Sequence, residues 1–396
     1  MLKVTDKLIL PTTMVGSYPR PLWFNESLRG RSFKQAMGDT LFREQYVDAV
    51  TCIINAQESA GLDILTDGDS RFDLAVGGKS WFFYVLERLG GIGGHRDYSA
   101  TWTSFGFRPG HILWEVMEAY QPPVVTGKVA GGPLEYAAVW KVAQRLTDKP
   151  MKFGTICASV LPHMMWNEFY PNEKALVEDL AAIFNAELKD LAEAGCQIIQ
   201  LEEPTHHFAS LNPKVTDKDL EEMTVLFNKQ VTGVDAEIWV HTCWGNPNQQ
   251  SCFWEPPSYE RAIPHLLQLD ADVITFECAS TNGKDLHLFS KYKTDKKIAI
   301  GVVNHTHTTV EPPERVASLI RKALEYIPAE RLVITTDCGF GREGLSRRIA
   351  YYKLVSLVMG TNLVRRELGL PEARIRIADP RLWFVADAEA KGTAAP

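Results

Sequence analysis

Two stretches decide how this chain is read: Ile238-Trp239-Val240-His241-Thr242-Cys243 and, almost a hundred residues later, Leu332-Val333-Ile334-Thr335-Thr336-Asp337-Cys338-Gly339. Each is a short run of strand-forming residues that ends on polar, metal-competent side chains. Side chains alternate faces along a strand, so His241 and Cys243 point the same way. One imidazole and one thiol on that face, with a second thiol at another strand end, make three borderline-soft ligands suited to zinc. The spacing is longer than in compact zinc fingers, so a large scaffold must bring the two strand ends together. That favours a catalytic metal with an open position over a structural staple. The competing reading is that a strand-end cysteine is simply core, where cysteine is common. What favours the metal is the company these residues keep.

Working outward, eight β-like runs alternate mostly with helical patterns. They span roughly Thr12–Ser17, Asp63–Gly68, Met151–Cys157, Gln197–Glu203, Glu237–Cys243, Val273–Cys278, Ile298–Asn304 and Leu332–Asp337. Leu176, Leu180, Ile183, Phe184, Leu188 and Leu191 recur at helical spacing before the fourth run, and Gly195 closes that helix. A second helix is expected over Ser346–Leu368. The alternation predicts an α/β fold, a single (β/α)8 TIM barrel, with a doubly wound open sheet as the other possibility. Residues 90–132, rich in Gly and aromatics before Val124-Val125-Thr126-Gly127-Lys128-Val129, read as an inserted hairpin after the second strand. Residues 1–385 are then one domain, and 386–396 a flexible tail.

Barrel chemistry sits at the C-terminal ends of the strands. Here those ends carry Gly16-Ser17, Asp67-Gly68-Asp69, Glu202-Glu203, His241-Thr242-Cys243, Glu277-Cys278, His305-Thr306-His307 and Asp337-Cys338. A fourth metal ligand is Glu277 or its neighbour Cys278, with Glu277 preferred. Two thiolates and a carboxylate make an electron-rich first shell, weak at ionising water but able to hold a thiol as a nucleophilic thiolate. The chemistry this predicts is alkyl transfer to sulfur.

Composition points to a soluble globular protein. The 396 residues carry formal charge -7 and a hydrophobic share of 45%, ample for a core and without the basic clusters of a nucleic-acid binder. No run approaches ~20 apolar residues, so no membrane span is expected. Met1-Leu2-Lys3-Val4-Thr5-Asp6-Lys7 lacks the apolar region of a signal peptide. Seven scattered cysteines suggest reduced thiols and a cytoplasmic setting. The oligomeric state is not legible.

The chain resembles the catalytic barrel of the cobalamin-independent methionine synthase family, in the superfamily that includes uroporphyrinogen decarboxylase. The resemblance rests on Thr12-Thr13-Met14-Val15-Gly16-Ser17-Tyr18-Pro19, Gly61-Leu62-Asp63-Ile64-Leu65-Thr66-Asp67-Gly68-Asp69 and Ile198-Ile199-Gln200-Leu201-Glu202-Glu203-Pro204. To these add His241-Thr242-Cys243, Phe276-Glu277 and Asp337-Cys338-Gly339. It implies Zn2+ on His241, Cys243, Glu277 and Cys338, and the amino-acid part of a thiol substrate against Gly16, Ser17, Asp69 and Glu202. A histidine in the Gly301–His307 stretch, His305 or His307, would give the leaving group its proton. The activity implied is transfer of a methyl or other alkyl group to a zinc-bound thiolate, as in homocysteine to methionine.

There are departures from the family pattern. The extra N-terminal barrel of full-length members has no counterpart here. Asp69 stands where the family carries Glu. The tryptophan-bearing segment where a folate donor stacks reads Thr155-Ile156-Cys157-Ala158-Ser159, and Asn246–Tyr259 enlarges the gap from Cys243 to Glu277. These differences argue against folate as the donor. Epoxide opening by a zinc-bound thiolate, as in epoxyalkane:coenzyme M transferase, is the alternative, and Arg20 or Arg71 could then bind a sulfonate. A uroporphyrinogen decarboxylase-like lyase and a barrel with purely structural zinc are more distant. Trp81-Phe82-Phe83-Tyr84 and Trp102 read as packing more than as pocket, whereas Trp244 and Trp254 could line one.

Overall fold

The computed structural model describes residues 2–28, 30–70, 80–95, 122–245, 253–341 and 345–376. Its strands are β1 (Leu65–Thr66), β2 (Gly90–His95), β3 (Pro123–Ala130), β4 (Met151–Ile156), β5 (Trp166–Asn167), β6 (Ile198–Glu202), β7 (Glu237–His241), β8 (Val273–Phe276), β9 (Lys297–Gly301) and β10 (Leu332–Thr335). Seven of them form a parallel sheet in the order β1-β4-β6-β7-β8-β9-β10, close to chain order, as successive crossover helices dictate.

The two faces of this sheet separate cleanly by parity. Ile199, Leu201, Ile238, Val240, Ile274, Ile298, Ile300 and Ile334 face the helices and join their apolar stripes in the main core. Ile64, Ile198, Trp239, Val273, Ala299 and Val333, one residue from each of six segments, pack together on the other face. Leu2 and Val4 cap this inner cluster, held because the Glu237 carboxylate accepts from the backbone N–H groups of Lys3, Val4 and Thr5. Counting by twos from the inner cluster, the inward positions are Gln200 and Glu202, His241 and Cys243, Thr275 and Glu277. The fold thus delivers the chemistry-bearing residues to the inside of the curl.

The helices match their expected signals. Asn172 caps Glu173–Glu193, and Gly195 follows at φ 107°, a conformation that favours glycine. Ser346 caps Arg347–Glu367. No helix among the described residues is long and apolar enough to cross a membrane.

The first expected strand, Thr12–Ser17, is not one. It contributes a single parallel bridge, Thr12 to Ile334. Pro11 has no N–H to donate, and the Thr12 N–H and hydroxyl both go to the Asp63 carboxylate at 2.8 Å instead of to a ladder. Thr13 N still donates to Ile334 O at 2.9 Å, and Asp63 N and Ile64 N donate to Thr12 O at 3.0 and 3.1 Å. The other strands are shorter than expected, so Cys243, Glu277 and Cys338 lie just past strand ends. In the 90–132 region, β2 and β3 pair antiparallel, and β5 joins β3 in parallel. Residues 96–121, Arg71 and the 386–396 tail lie outside the described residues.

Candidate metal centre

β7 ends on His241, and two residues later the same inward parity presents Cys243. β10 arrives alongside with Cys338. The two sulfurs lie 3.6 Å apart, and the ligand atoms of His241, Cys243 and Cys338 are all within 4.8 Å of one another. A disulfide needs about 2.05 Å, so these are two free thiols. Two sulfurs sharing a tetrahedral zinc at Zn–S of about 2.3 Å would stand ~3.8 Å apart, close to the separation found.

His241 supplies an independent test of fit. It is 1% exposed, and neither ring nitrogen has a hydrogen-bond partner among the described residues. A buried imidazole with both nitrogens unsatisfied is costly unless something else ligates it. The electrostatics agree. Burial holds His241 well below the usual histidine range, aided by Lys152, His305 and His207. The Cys338 thiol beside it, and then burial, push the Cys243 thiol well up. His241 and Cys243 are both driven towards their neutral forms, which a bound dication would reverse for the thiol.

Glu277 stands next to this trio in a second cluster. Its carboxylate, the His305 imidazole and the Asp337 carboxylate also lie within 4.8 Å of one another. Glu277 Oε2 accepts from Trp244 N at 2.9 Å, which ties it to the Cys243 turn. Asp337 accepts from three successive backbone amides: Cys278 and Ala279 at 2.8 and 2.9 Å, and Ser280 at 2.8 Å. Burial raises both carboxyls, and for Asp337 the neighbouring Glu277 adds to it. Between the two candidates for a fourth ligand, Glu277 has the inward parity, whereas the Cys278 thiol belongs to neither cluster.

The expected substrate residues gather on the same side. Glu202 Oε2 is 3.7 Å from His241 Nε2. Asp69 adopts φ 50°, a left-handed conformation Asp tolerates, and its N–H donates to Asp67 Oδ1. A Cβ on Gly16 would lie 2.8 Å from Asp69 Oδ2, so a larger residue there would push that carboxylate aside. Ser17 meets the cysteine loop directly, since its hydroxyl accepts from Gly341 N at 3.1 Å and its carbonyl from Phe340 N at 2.7 Å. The two histidines part company. His305 is fully buried with Nε2 3.3 Å from Gly245 O, whereas His307 is exposed.

Other residues support the centre from behind. His207 Nε2–H donates to Cys243 O at 2.6 Å, and burial lowers His207 to about 4, keeping it neutral and a donor. Glu203 is buried, lies 2.9 Å from His206 Nδ1 and accepts from the Ser159 and Thr205 hydroxyls. For Glu203 the Glu202-Glu203 pair is the available signal: on a strand only one of two adjacent acids can face inward, so the other is built into the wall. Trp244 is core, packed on His207, Phe208, Phe253 and Tyr259, and Trp254 is exposed. Tyr84 packs on Tyr136.

Comparison with known proteins agrees with this geometry. A family described as "Cobalamin-independent synthase, Catalytic domain" matches residues 10–78 and 109–360. A methionine synthase of Saccharolobus solfataricus is 34% identical over 360 residues, 91% of this chain and 96% of that protein. One from Sulfurisphaera tokodaii is 31% identical over 367 residues, covering 91% and 94%. Among solved structures, a B12-independent methionine synthase from a Shewanella species, in complex with selenomethionine, superposes with TM-score 0.73 at 25% identity over 91% of this chain and 99% of that one. A putative vitamin-B12-independent methionine synthase from Listeria monocytogenes follows with TM-score 0.60 at 18% identity, over 90% and 99%. By its sequence along nine-tenths of its length, this chain belongs to the cobalamin-independent methionine synthase family, as a form of its catalytic domain.

Proposed function

We propose that this chain is a zinc-dependent methyltransferase whose acceptor is a small amino-thiol, homocysteine in the form nearest its relatives. The observation that carries the reading is the orphaned, buried His241 imidazole beside two thiols spaced for one tetrahedral ion. His241, Cys243 and Cys338 would hold the metal, with Glu277 as fourth ligand. Bound there, zinc would supply a Lewis acid that lowers the pKa of an incoming thiol so that it is held as thiolate, its proton going to solvent, while the anionic ligands would keep its sulfur nucleophilic.

The remaining work falls to the protein's own side chains. Glu202 and Asp69 offer carboxylates to the substrate ammonium, and the Gly16–Ser17 turn faces its carboxylate end. Cys243 is only partly buried while His241 is closed off, so the donor approaches from the cysteine side. As the methyl group leaves its donor, the departing atom needs a proton. In this reading His305 gives it, supported by its position beside Glu277 and Asp337 and by the exposure of His307. A thiol bearing a sulfonate would meet the Asp69 and Glu202 carboxylates, which favours an amino-thiol over the epoxide-opening alternative. In the same reading the Pro11–Thr13 segment, bonded to both β10 and the start of β1, completes an eight-membered ring.

The test is a thiol screen on protein with defined metal content. Homocysteine, coenzyme M and glutathione are compared by the proton released on binding, before and after removal of zinc with a chelator. The reading predicts stoichiometric release with homocysteine only, dependent on zinc. Equal release from the metal-free protein would overturn it.

A further inference from the structure

Lys152, on β4, is 1% exposed, and among the described residues it has no carboxylate at contact distance. Its ammonium donates to Gln200 Oε1 at 2.5 Å and to Met14 O at 2.8 Å, and rests over the Trp239 ring, 4.8 Å from its centroid. Gln200 is equally committed: its NH2 donates to Val15 O at 2.9 Å and to Glu202 Oε1 at 2.7 Å. A lysine can only donate, so it fixes which end of the Gln200 amide is oxygen. The end left facing Glu202 must then be the donor.

We infer that Lys152, acting through Gln200, is a positioning residue for the amino-acid end of the thiol. Its effect is on the ammonium side: it orients the Gln200 amide, itself anchored on Val15 O, so that the amide aims the Glu202 carboxylate. A purely architectural role does not account for it, because an apolar side chain of similar length would fill this space with no charge to desolvate. Burial lowers Lys152, and with Glu202 and Asp69 opposing that fall it stands at about 7. These are the two acids assigned to the substrate ammonium, so the cation beneath them is also their countercharge. Gly16 and Gly154 both back onto the Asp69 carboxylate, which places it on the same floor. The inference rests on the proposed amino-thiol acceptor.

The test uses zinc-loaded full-length protein and two ligands: homocysteine and 4-mercaptobutanoate, which has the same thiol and carboxylate but no amino group. Wild type should bind homocysteine more than about tenfold better. Lys152→Met should weaken homocysteine roughly tenfold, as a rise in KM with kcat at saturation retained, and leave zinc content and 4-mercaptobutanoate binding unchanged. Gln200→Met, which keeps its volume and cuts the same link, should do likewise, and the double variant should add little. If Lys152→Met does not fold, Gln200→Met carries the same outcomes. Undiminished preference for homocysteine, or equal loss of both ligands, would overturn the inference. A wild type with no preference would instead overturn the amino-thiol reading.

Discussion

The loop that carries His305 is held by a buried ion pair, and Lys353→Met removes its cation. Lys353 and Glu311 are 0% and 3% exposed, with Nζ–Oε2 at 2.9 Å. Nζ reaches Oε1 at 3.2 Å and also donates to Thr309 O at 2.5 Å, and Glu311 Oε1 accepts from Asn304 N at 2.8 Å. The pair therefore clamps both ends of residues 304–309. The substitution leaves a buried carboxylate with its cation gone, which costs about 3–5 kcal/mol. Adding Glu311→Gln removes the stranded charge and keeps an amide oxygen for Asn304 N. The double variant should then recover to within about 1–2 kcal/mol of wild type, one neutral hydrogen bond short. Urea unfolding at neutral pH measures both differences, and turnover should fall and recover in parallel. A double variant no more stable than the single one would refute the reasoning, because the penalty would then be lost packing and not stranded charge.

Other outcomes follow from the same geometry. His207→Phe keeps the ring among its aromatic neighbours but removes the donor to Cys243 O, so zinc affinity measured by chelator competition should fall about 10-fold or more. Gly339→Ala places a Cβ 2.1 Å from Ser17 Oγ, so KM for the thiol should rise while zinc content holds. Glu187 is raised from 4.5 to about 7 by burial and by Asp190. The folded state then holds its proton more tightly than the unfolded chain, so the stability it contributes is full below 4.5 and is lost as pH rises to about 7. Glu187→Gln should flatten that part of the stability–pH curve, read as urea midpoints across the range.

Parity and strand-end chemistry carry most of what is legible without a structure. His241 and Cys243 are readable because alternation along one strand is local, and Cys338 because the same parallel fold must bring its strand end to the same side. Thr12–Ser17 has the pattern of a strand, but the Thr12 N–H is claimed by Asp63, a partner 51 residues away. Lys152, Gln200 and His207 are not legible, since each matters through a long-range bond to a backbone carbonyl or amide that no periodicity encodes. His305 and His307 are equivalent in sequence, and only burial separates them.

The most direct measurement is X-ray absorption at the zinc edge on the purified protein, with and without homocysteine. The account predicts two sulfur scatterers at about 2.3 Å with nitrogen and oxygen completing four ligands, and a third sulfur once homocysteine is added. A first shell without sulfur, or one that homocysteine leaves unchanged, would contradict it.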